Sequence, residues 1–241
     1  MMHIRRSKDR GHADHGWLDS WHTFSFAEYR DPEFMGFHHI RVINQDRIAP
    51  GSGFGTHSHR DMEIISYVID GALAHKDSMG NGSSITPGEV QYMSAGSGVT
   101  HSEFNHSKDQ TTEFLQIWIP PNVKGAPPAY DQRMFAEASR LGRLCLVISG
   151  DGRDGSIRIR QNVDLYASLL KPGQTISQPV HQKSAVWLQL IRGGLIVNEK
   201  ELSPGDGLGA FEITQLDIKA RPMGNTGNDR AEFLLFVMPL K

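Results

Sequence analysis

Two short segments of this 241-residue chain carry histidine and glutamate at a spacing that suits metal binding. His57 and His59 are two residues apart, and so are His101 and Glu103. Residues two apart on a β-strand project to the same face, so each pair can present both side chains to one interior. Imidazole suits iron, copper, zinc and nickel, and an oxygen ligand shifts the preference towards iron or manganese. If the two strands face each other, the sequence predicts a metal centre of three imidazoles and one carboxylate.

The residues alone leave open which glutamate supplies that carboxylate. Glu63 follows His59 by four residues, and Glu103 follows His101 by two. Both spacings are even, so either glutamate has the strand parity to lie on the same face as its histidine. The glutamate that does not bind the ion would then hold a ligand imidazole or solvent beside it.

Strand signals dominate the elements that must position these residues. Short apolar runs rich in β-branched residues, such as 64–69, 115–119 and 187–191, are bounded by Gly, Pro, Asn or Asp. Residues 157–160 alternate apolar and basic side chains, as a strand with one solvent-exposed face does. Helical periodicity is weak, and its best candidate, at 132–141, is short. Many short strands joined by glycine-rich turns indicate an all-β sandwich or barrel.

A weak internal repeat predicts two domains of similar design. Pro87-Gly88-Glu89 and Pro204-Gly205-Asp206 each follow an apolar strand and a return strand, about half the chain apart. We therefore expect two tandem β-domains, at 1–134 and 135–241, with the linker in the proline-rich segment 120–128. One continuous, larger β-fold is the alternative.

The second half lacks the histidine pattern of the first. Its corresponding region has only His181, and no histidine follows the second Pro-Gly-acid turn. By ligand count it cannot hold the same metal site, so we expect a structural or regulatory domain there.

Composition excludes several other classes. Lys plus Arg (25) nearly balances Asp plus Glu (27), for a net charge of -2, which argues against direct nucleic-acid binding. The single cysteine, Cys145, excludes an intrachain disulfide and a cysteine-rich zinc site, and its apolar neighbours predict a buried core position. No apolar run is long enough to cross a membrane. A reducing cytoplasm is therefore the expected compartment.

Two extended motifs resemble a known family. Gly51-x5-His57-x-His59-x3-Glu63 and Gly98-x2-His101-x3-Asn105 resemble the two cupin motifs. The segments 15–32 and 54–64 are similar to the pirin family in particular, including its bacterial quercetinase-like members. The resemblance covers essentially the whole chain. It implies a bicupin, two tandem double-stranded β-helix (jelly-roll) barrels, with a metal site in the N-terminal barrel.

The resemblance also favours one of the two glutamates as ligand. Many cupins use the glutamate of the first motif, here Glu63, whereas pirins use the residue two after the second-motif histidine, here Glu103. We therefore expect a divalent metal held by His57, His59, His101 and Glu103, with Glu63 beside the site. The resemblance implies Fe2+, with zinc, copper, manganese or nickel as alternatives.

The function implied by the resemblance is a metal-dependent dioxygenase that cleaves a flavonol such as quercetin with O2. Glu103 or Glu63 would accept the substrate's proton as general base. The alternative is a metal- or redox-sensing regulatory module that binds a protein partner without turnover. The resemblance to pirins of higher organisms implies such a role. A third, weaker alternative is a non-oxidative zinc enzyme, although four-coordinate zinc would leave no position for substrate.

Overall fold

The chain folds mainly into β-strands with almost no helix, as the sequence predicts. The computed structural model describes residues 1–223 and 230–240. One short helix, α1 (Glu137–Arg140), and three 3-10 turns accompany the strands. The strands are β1 (Met2–Arg5), β2 (Gly11–Asp14), β3 (Leu18–His22), β4 (Val42–Ile48), β5 (Gly53–His59), β6 (Glu63–Asp70), β7 (Leu73–Asp77), β8 (Gly82–Ile85), β9 (Glu89–Ser94), β10 (Val99–Phe104), β11 (Thr112–Ile119), β12 (Ala129–Met134), β13 (Cys145–Ser149), β14 (Ile157–Arg158), β15 (Asp164–Leu170), β16 (Thr175–Pro179), β17 (Ser184–Arg192), β18 (Gly194–Val197), β19 (Lys200–Leu202), β20 (Gly207–Phe211), β21 (Gln215–Arg221) and β22 (Ala231–Pro239).

The strands build two barrels of the same design, which confirms the predicted pair of cupin domains. The N-terminal barrel has a seven-stranded sheet, β12-β9-β6-β11-β4-β3-β2, and a four-stranded sheet, β5-β10-β7-β8. The C-terminal barrel has a seven-stranded sheet, β1-β20-β17-β22-β15-β13-β14, and a four-stranded sheet, β16-β21-β18-β19. The order along the chain repeats between the barrels, so that β6 to β9 correspond to β17 to β20.

The two Pro-Gly-acid turns are built alike. The backbone N–H of Glu89 donates to the carbonyl of Thr86 (2.9 Å), and that of Asp206 donates to the carbonyl of Ser203 (3.0 Å). Each carboxylate accepts in return from the backbone N–H three residues earlier, at 2.8 and 3.0 Å. The glycine before each acid has a φ of 97° or 83°, where a side chain would be strained. The repeated motif is therefore a repeated turn.

The structure corrects the start of the N-terminal domain. Met1–Arg10 belong to the C-terminal barrel, because β1 pairs antiparallel with β20. The N-terminal barrel comprises Gly11–Met134 with Ile159–Gln161, and the C-terminal barrel resumes at Phe135. Strand β1 beside β20 takes the place that β12 takes beside β9. The edge strand of the C-terminal sheet thus comes from the opposite end of the chain.

Three local predictions also need correction. The proline-rich segment 120–128 is not the linker, because β12 follows it and still pairs with β9 of the N-terminal barrel. The predicted helix at 132–141 shortens to α1, since β12 extends to Met134. Cys145 is half-buried, with its Sγ 3.6 Å from the hydroxyl of Ser139.

The interior of the N-terminal barrel contains a buried polar layer between two apolar clusters. Side chains alternate along a strand, so every second residue of β6 and of β11 faces the interior. The polar members of this layer on those strands are Ser66 and Gln116, both buried. The flanking clusters comprise Leu18, Ile48, Val68, Leu73, Ile85 and Phe114 on one side, and Ile64, Met93, Ala95 and Val99 on the other.

The only helix of the described residues, α1, has four residues, and no helix in that part of the chain is long and apolar enough to span a membrane.

Candidate metal centre

Three histidines meet on the four-stranded sheet of the N-terminal barrel. On β5 and β10, His57 lies opposite His101, and His59 lies opposite Val99. Cross-strand partners share a face, so the three imidazoles converge. The ring of His101 lies 4.4 Å from that of His57 and 5.0 Å from that of His59, measured between centroids. One nitrogen from each of the three rings lies within 4.8 Å of the others.

Glu103 falls into a second group of donor atoms on the same strand. The pairing of β10 with β5 shifts register between His101 and Glu103, which places Glu103 opposite Phe54. On its other side β10 pairs with β7, where Glu103 lies opposite His75. Donor atoms of His75, His101 and Glu103 lie within 4.8 Å of one another, and all three residues are buried. His101 thus belongs to both groups.

The sequence reasoning missed His75. A signal was present, because Leu73, His75 and Asp77 alternate with Ala74 and Lys76 on the strand that returns after Asp70-Gly71. That alternation marks one buried face, and all three of its residues are buried.

The donor set fits a divalent metal ion. Both ring nitrogens of His101 are buried and have no hydrogen-bond partner among the described residues. Nδ1 of His57 lies 2.8 Å from the carbonyl oxygen of Gly55, and a donated bond there leaves the lone pair on Nε2. Imidazole nitrogens with one carboxylate oxygen are the donors that divalent transition metals accept in proteins.

Burial keeps two of the imidazoles in the neutral form that a metal requires. Burial, with a smaller contribution from the His57 ring, lowers the pKa of His59 to about 4. Burial and the neighbouring His57, His59 and His75 rings lower the pKa of His101 to about 3. Near neutral pH both rings therefore keep a lone pair available for an ion.

Glu103 is held within the polar layer. Nε2 of Gln116 donates to its two carboxylate oxygens at 3.1 and 2.9 Å, and the Ser66 hydroxyl lies 3.3 Å from Oε1. Burial raises the pKa of Glu103, and the hydrogen bonds from Gln116 oppose that rise.

Glu63 lies outside both donor groups. Its carboxylate accepts hydrogen bonds from the Tyr92 hydroxyl, the Ser94 hydroxyl (2.6 Å) and the backbone N–H of Arg160 (2.9 Å). Burial, with a smaller contribution from the Glu63 carboxylate, raises the pKa of Tyr92. The expectation that Glu63 holds a ligand imidazole does not match these partners.

The parity argument for Glu63 fails at a turn. β5 ends at His59 and β6 begins at Glu63, with Asp61 at a positive φ of 49° between them. Counting by twos is valid only within one strand. On β6 the interior side chain is that of Ser66, three residues on, so Glu63 faces the other way.

Arg160 also departs from its predicted role on a solvent-exposed strand face. Strand β14 ends at Arg158, and Ile159–Gln161 join the N-terminal barrel. There the backbone of Arg160 binds Glu63, and its guanidinium donates to the Ser94 hydroxyl at 2.7 Å.

An open pocket adjoins the histidines. Its volume is about 670 Å³, within the range of pockets that bind small molecules. His59 is the one histidine of the two donor groups that lines it. The other lining residues are Ser58, Arg60, Ser78, Gly98, Val99 and Thr100.

Two repeated barrels, with clustered histidines and a glutamate in the first, define a bicupin with a candidate metal centre. Residues 3–119 match the family profile described as Pirin, and residues 146–238 match the quercetinase C-terminal cupin domain. The chain belongs to the pirin family.

Similar proteins and a similar crystal structure support the assignment to the pirin family. The chain is 45% identical over 240 residues to a quercetin 2,3-dioxygenase of Escherichia coli K12, covering 99% of each chain. It is 40% identical over 211 residues to a pirin-like protein of Caulobacter vibrioides, covering 87% of this chain and 90% of that one. The crystal structure of the E. coli bacterial pirin YhhW in complex with nickel(II) superposes with a TM-score of 0.92 at 44% identity, covering all of both chains. The predicted resemblance to quercetinase-like pirins is confirmed.

Proposed function

We propose that this protein is a metal-dependent dioxygenase that cleaves a flavonol such as quercetin with O2. The observation that carries the proposal is the convergence of His57, His59 and His101 on one face, with the buried carboxylate of Glu103 beside them. We assign these four residues as the ligands of a single ion. The similarity to the quercetin 2,3-dioxygenase of E. coli supports the reaction, and the nickel in the E. coli pirin structure supports a divalent ion.

We propose Fe2+ as the ion. A carboxylate oxygen among nitrogen donors shifts the preference towards iron or manganese, and Fe2+ is an ion that such mixed sites bind in oxygenases. Bound there, the ion would supply adjacent positions for a substrate oxygen and O2 and would acidify the substrate hydroxyl.

The residues of the chain have distinct tasks. His59 and His101 remain neutral, so protons do not compete with the ion near pH 7. Glu103 would accept the proton of the bound hydroxyl, because it is the one carboxylate in the two donor groups. Gln116 keeps that carboxylate in place.

Substrate would approach through the pocket beside His59. A volume of about 670 Å³ suits a three-ring aromatic molecule, and the apolar Val99, which lies opposite His59 on β10, is part of the lining.

The test combines metal content with oxygen uptake. Protein purified without a His-tag or chelator is analysed for metals, loaded with Fe2+ and mixed with quercetin while O2 is followed. We expect near-stoichiometric iron and quercetin-dependent O2 consumption. Glu103→Ala should reduce both, whereas the exposed Glu33→Ala should reduce neither.

Two outcomes would overturn the proposal. Bound iron without O2 consumption would favour the regulatory alternative, whose surface or partner affinity should change with the oxidation state of the ion. Full iron content and full turnover in Glu103→Ala would remove Glu103 from the centre.

A further inference from the structure

His75 belongs to the donor cluster but not to the four-residue ligand set proposed above. Its offered nitrogen, one nitrogen of His101 and one oxygen of Glu103 lie within 4.8 Å of one another. The side chain of His75 is completely buried. Its ring centroid lies 5.3 Å from that of His101. These contacts follow from the register of β7 against β10, which places His75 opposite Glu103.

The ring of His75 is fixed in one orientation. Nε2 lies 3.1 Å from Oδ2 of Asp77, which is also completely buried. The ring of Tyr130 also restrains His75, because the two rings stack with their centroids 5.2 Å apart and their planes at 29°. Asp77 is anchored in turn by the backbone N–H groups of Met79 and Asn81 and by the Asn81 side chain. The imidazole therefore has little freedom to turn away.

This bracing determines which nitrogen carries the lone pair. A carboxylate accepts a hydrogen bond from the N–H of an imidazole. Nε2–H of His75 therefore faces Asp77, and the lone pair of the ring lies on Nδ1. Nδ1 is buried and has no hydrogen-bond partner among the described residues. A carboxylate that orients an imidazole in this way is the usual outer support of a metal-binding histidine. His57, by contrast, is supported by the backbone carbonyl of Gly55.

We infer that His75, His101 and Glu103 form an inner position for a divalent metal ion. The inference rests on the proposed function, because it shares His101 and Glu103 with the ligand set given there. Two imidazoles and one carboxylate are the donor composition that non-haem Fe(II) sites use with open positions for substrate and O2. Since two donors are shared, the chain holds one ion at a time, either in the inner position or nearer His57 and His59.

The double variant His57→Ala/His59→Ala tests the inner position directly. Both replaced histidines are half-buried, so the fold should tolerate alanine better than at the fully buried His75. Chelator-stripped protein is titrated with Co2+, and binding is followed by calorimetry and by the visible absorption of the bound ion. We expect the double variant to bind one Co2+ per chain, with a spectrum that differs from that of the unsubstituted protein.

Two further substitutions identify His75 as the donor. Adding His75→Phe to the double variant keeps a ring against Tyr130 but removes the nitrogens, and should abolish Co2+ binding. Adding Asp77→Asn instead should weaken binding by about 10- to 100-fold, because the support of the imidazole is lost. The matched control, His15→Ala/His106→Ala, removes two exposed histidines outside both donor groups and should bind Co2+ as the unsubstituted protein does.

The outcomes separate this inference from the proposed function. If the folded double variant binds no Co2+ while the unsubstituted protein binds one, the inner position does not exist, although the dioxygenase proposal stands. Equal Co2+ binding with and without His75→Phe in the double variant would also overturn the inference. Retained Co2+ binding in the double variant together with no quercetin-dependent O2 uptake by the Fe2+-loaded unsubstituted protein would support the inner position and refute the dioxygenase.

Discussion

The side-chain amide of Gln116 spans the carboxylate of Glu103, with Nε2 at 3.1 Å from one oxygen and 2.9 Å from the other. The Ser66 hydroxyl lies 3.3 Å from Oε1 of Gln116 and 3.3 Å from Oε1 of Glu103. One hydroxyl proton can serve only one of these acceptors at a time. Gln116 is therefore the main support of the Glu103 carboxylate. By donating to Oε1 of Gln116, the Ser66 hydroxyl favours the orientation of the amide in which Nε2 faces Glu103.

Replacing Gln116 should weaken metal binding without unfolding the barrel. Gln116→Leu keeps the volume of the side chain but leaves the buried carboxylate without its main donor. We expect about a 10- to 100-fold loss of Co2+ affinity, the usual cost of losing a group that orients a ligand. Calorimetric titration of chelator-stripped protein measures this loss.

Gln45→Leu is the matched control for Gln116→Leu. Gln45 lies on the outward face of β4, and its amide donates to Glu113 at 2.6 Å. Its replacement should leave Co2+ affinity unchanged. Identical affinities in the two variants would show that Gln116 does not support Glu103.

Glu63→Gln should affect stability and leave metal content intact. The buried Glu63 carboxylate accepts from three donors, and an amide cannot accept at its nitrogen. At least one donor would lose its partner, at a cost of about 1–3 kcal/mol in the free energy of unfolding. Urea unfolding measures the loss, with the exposed Glu33→Gln as control. A folded Glu63→Gln protein that no longer retains its ion would restore Glu63 to the metal centre.

Local spacing predicted the histidines of β5 and β10 because residues two apart on one strand must share a face. Alternation on β7 marks His75 as buried, but it could not place His75 in the donor cluster, since only the tertiary pairing of β7 with β10 brings His75 opposite Glu103. Local spacing misplaced Glu63 because a turn separates that residue from His59. The repeat predicted both barrels, since each Pro-Gly-acid turn is formed by local hydrogen bonds and joins the four-stranded sheet of its barrel to the seven-stranded one. It could not predict that β1 completes the C-terminal sheet, because the pairing of β1 with β20 joins residues some 200 positions apart.

The buried Asp46 should make the metal-free protein less stable as pH rises. Burial raises its pKa to about 7; the Ser20 hydroxyl opposes this rise, whereas the Glu103 and Asp19 charges add to it. The folded state thus holds a proton that the unfolded chain releases near pH 4, so folding stability falls between about pH 4 and pH 7. Asp46→Asn removes the free-energy cost of ionising the buried Asp46. At 1.36 kcal/mol per pKa unit, this cost amounts to at most about 4 kcal/mol.

Urea unfolding of the chelator-stripped protein at pH 5 and pH 8 tests this. The stability of Asp46→Asn relative to the unsubstituted protein should be greater at pH 8 than at pH 5. Asp14→Asn, measured in parallel, reports the effect of removing an exposed carboxylate. The same relative stability of Asp46→Asn at both pH values would mean that Asp46 is already ionised in the fold at pH 5.

The acidic residues of the two repeated turns, Glu89 and Asp206, should contribute differently to the free energy of unfolding, although the turns are alike. Asp206 is buried and accepts from the Arg6 guanidinium (2.8 Å) and the backbone N–H of Ser7 (2.7 Å), besides its own turn. Asp206→Ala would leave the Ser7 N–H without its acceptor and the Arg6 guanidinium with the carbonyl of Glu201, and it should cost about 1–3 kcal/mol in the free energy of unfolding. Glu89 is less buried, and Glu89→Ala should cost about 1 kcal/mol.

Hydrogen exchange distinguishes the two roles, because Asp206 anchors the residues that follow β1. Asp206→Ala should accelerate exchange at the amides of β1, and Glu89→Ala should leave them protected; equal protection of β1 in both variants would show that Asp206 does not hold that strand in the C-terminal sheet.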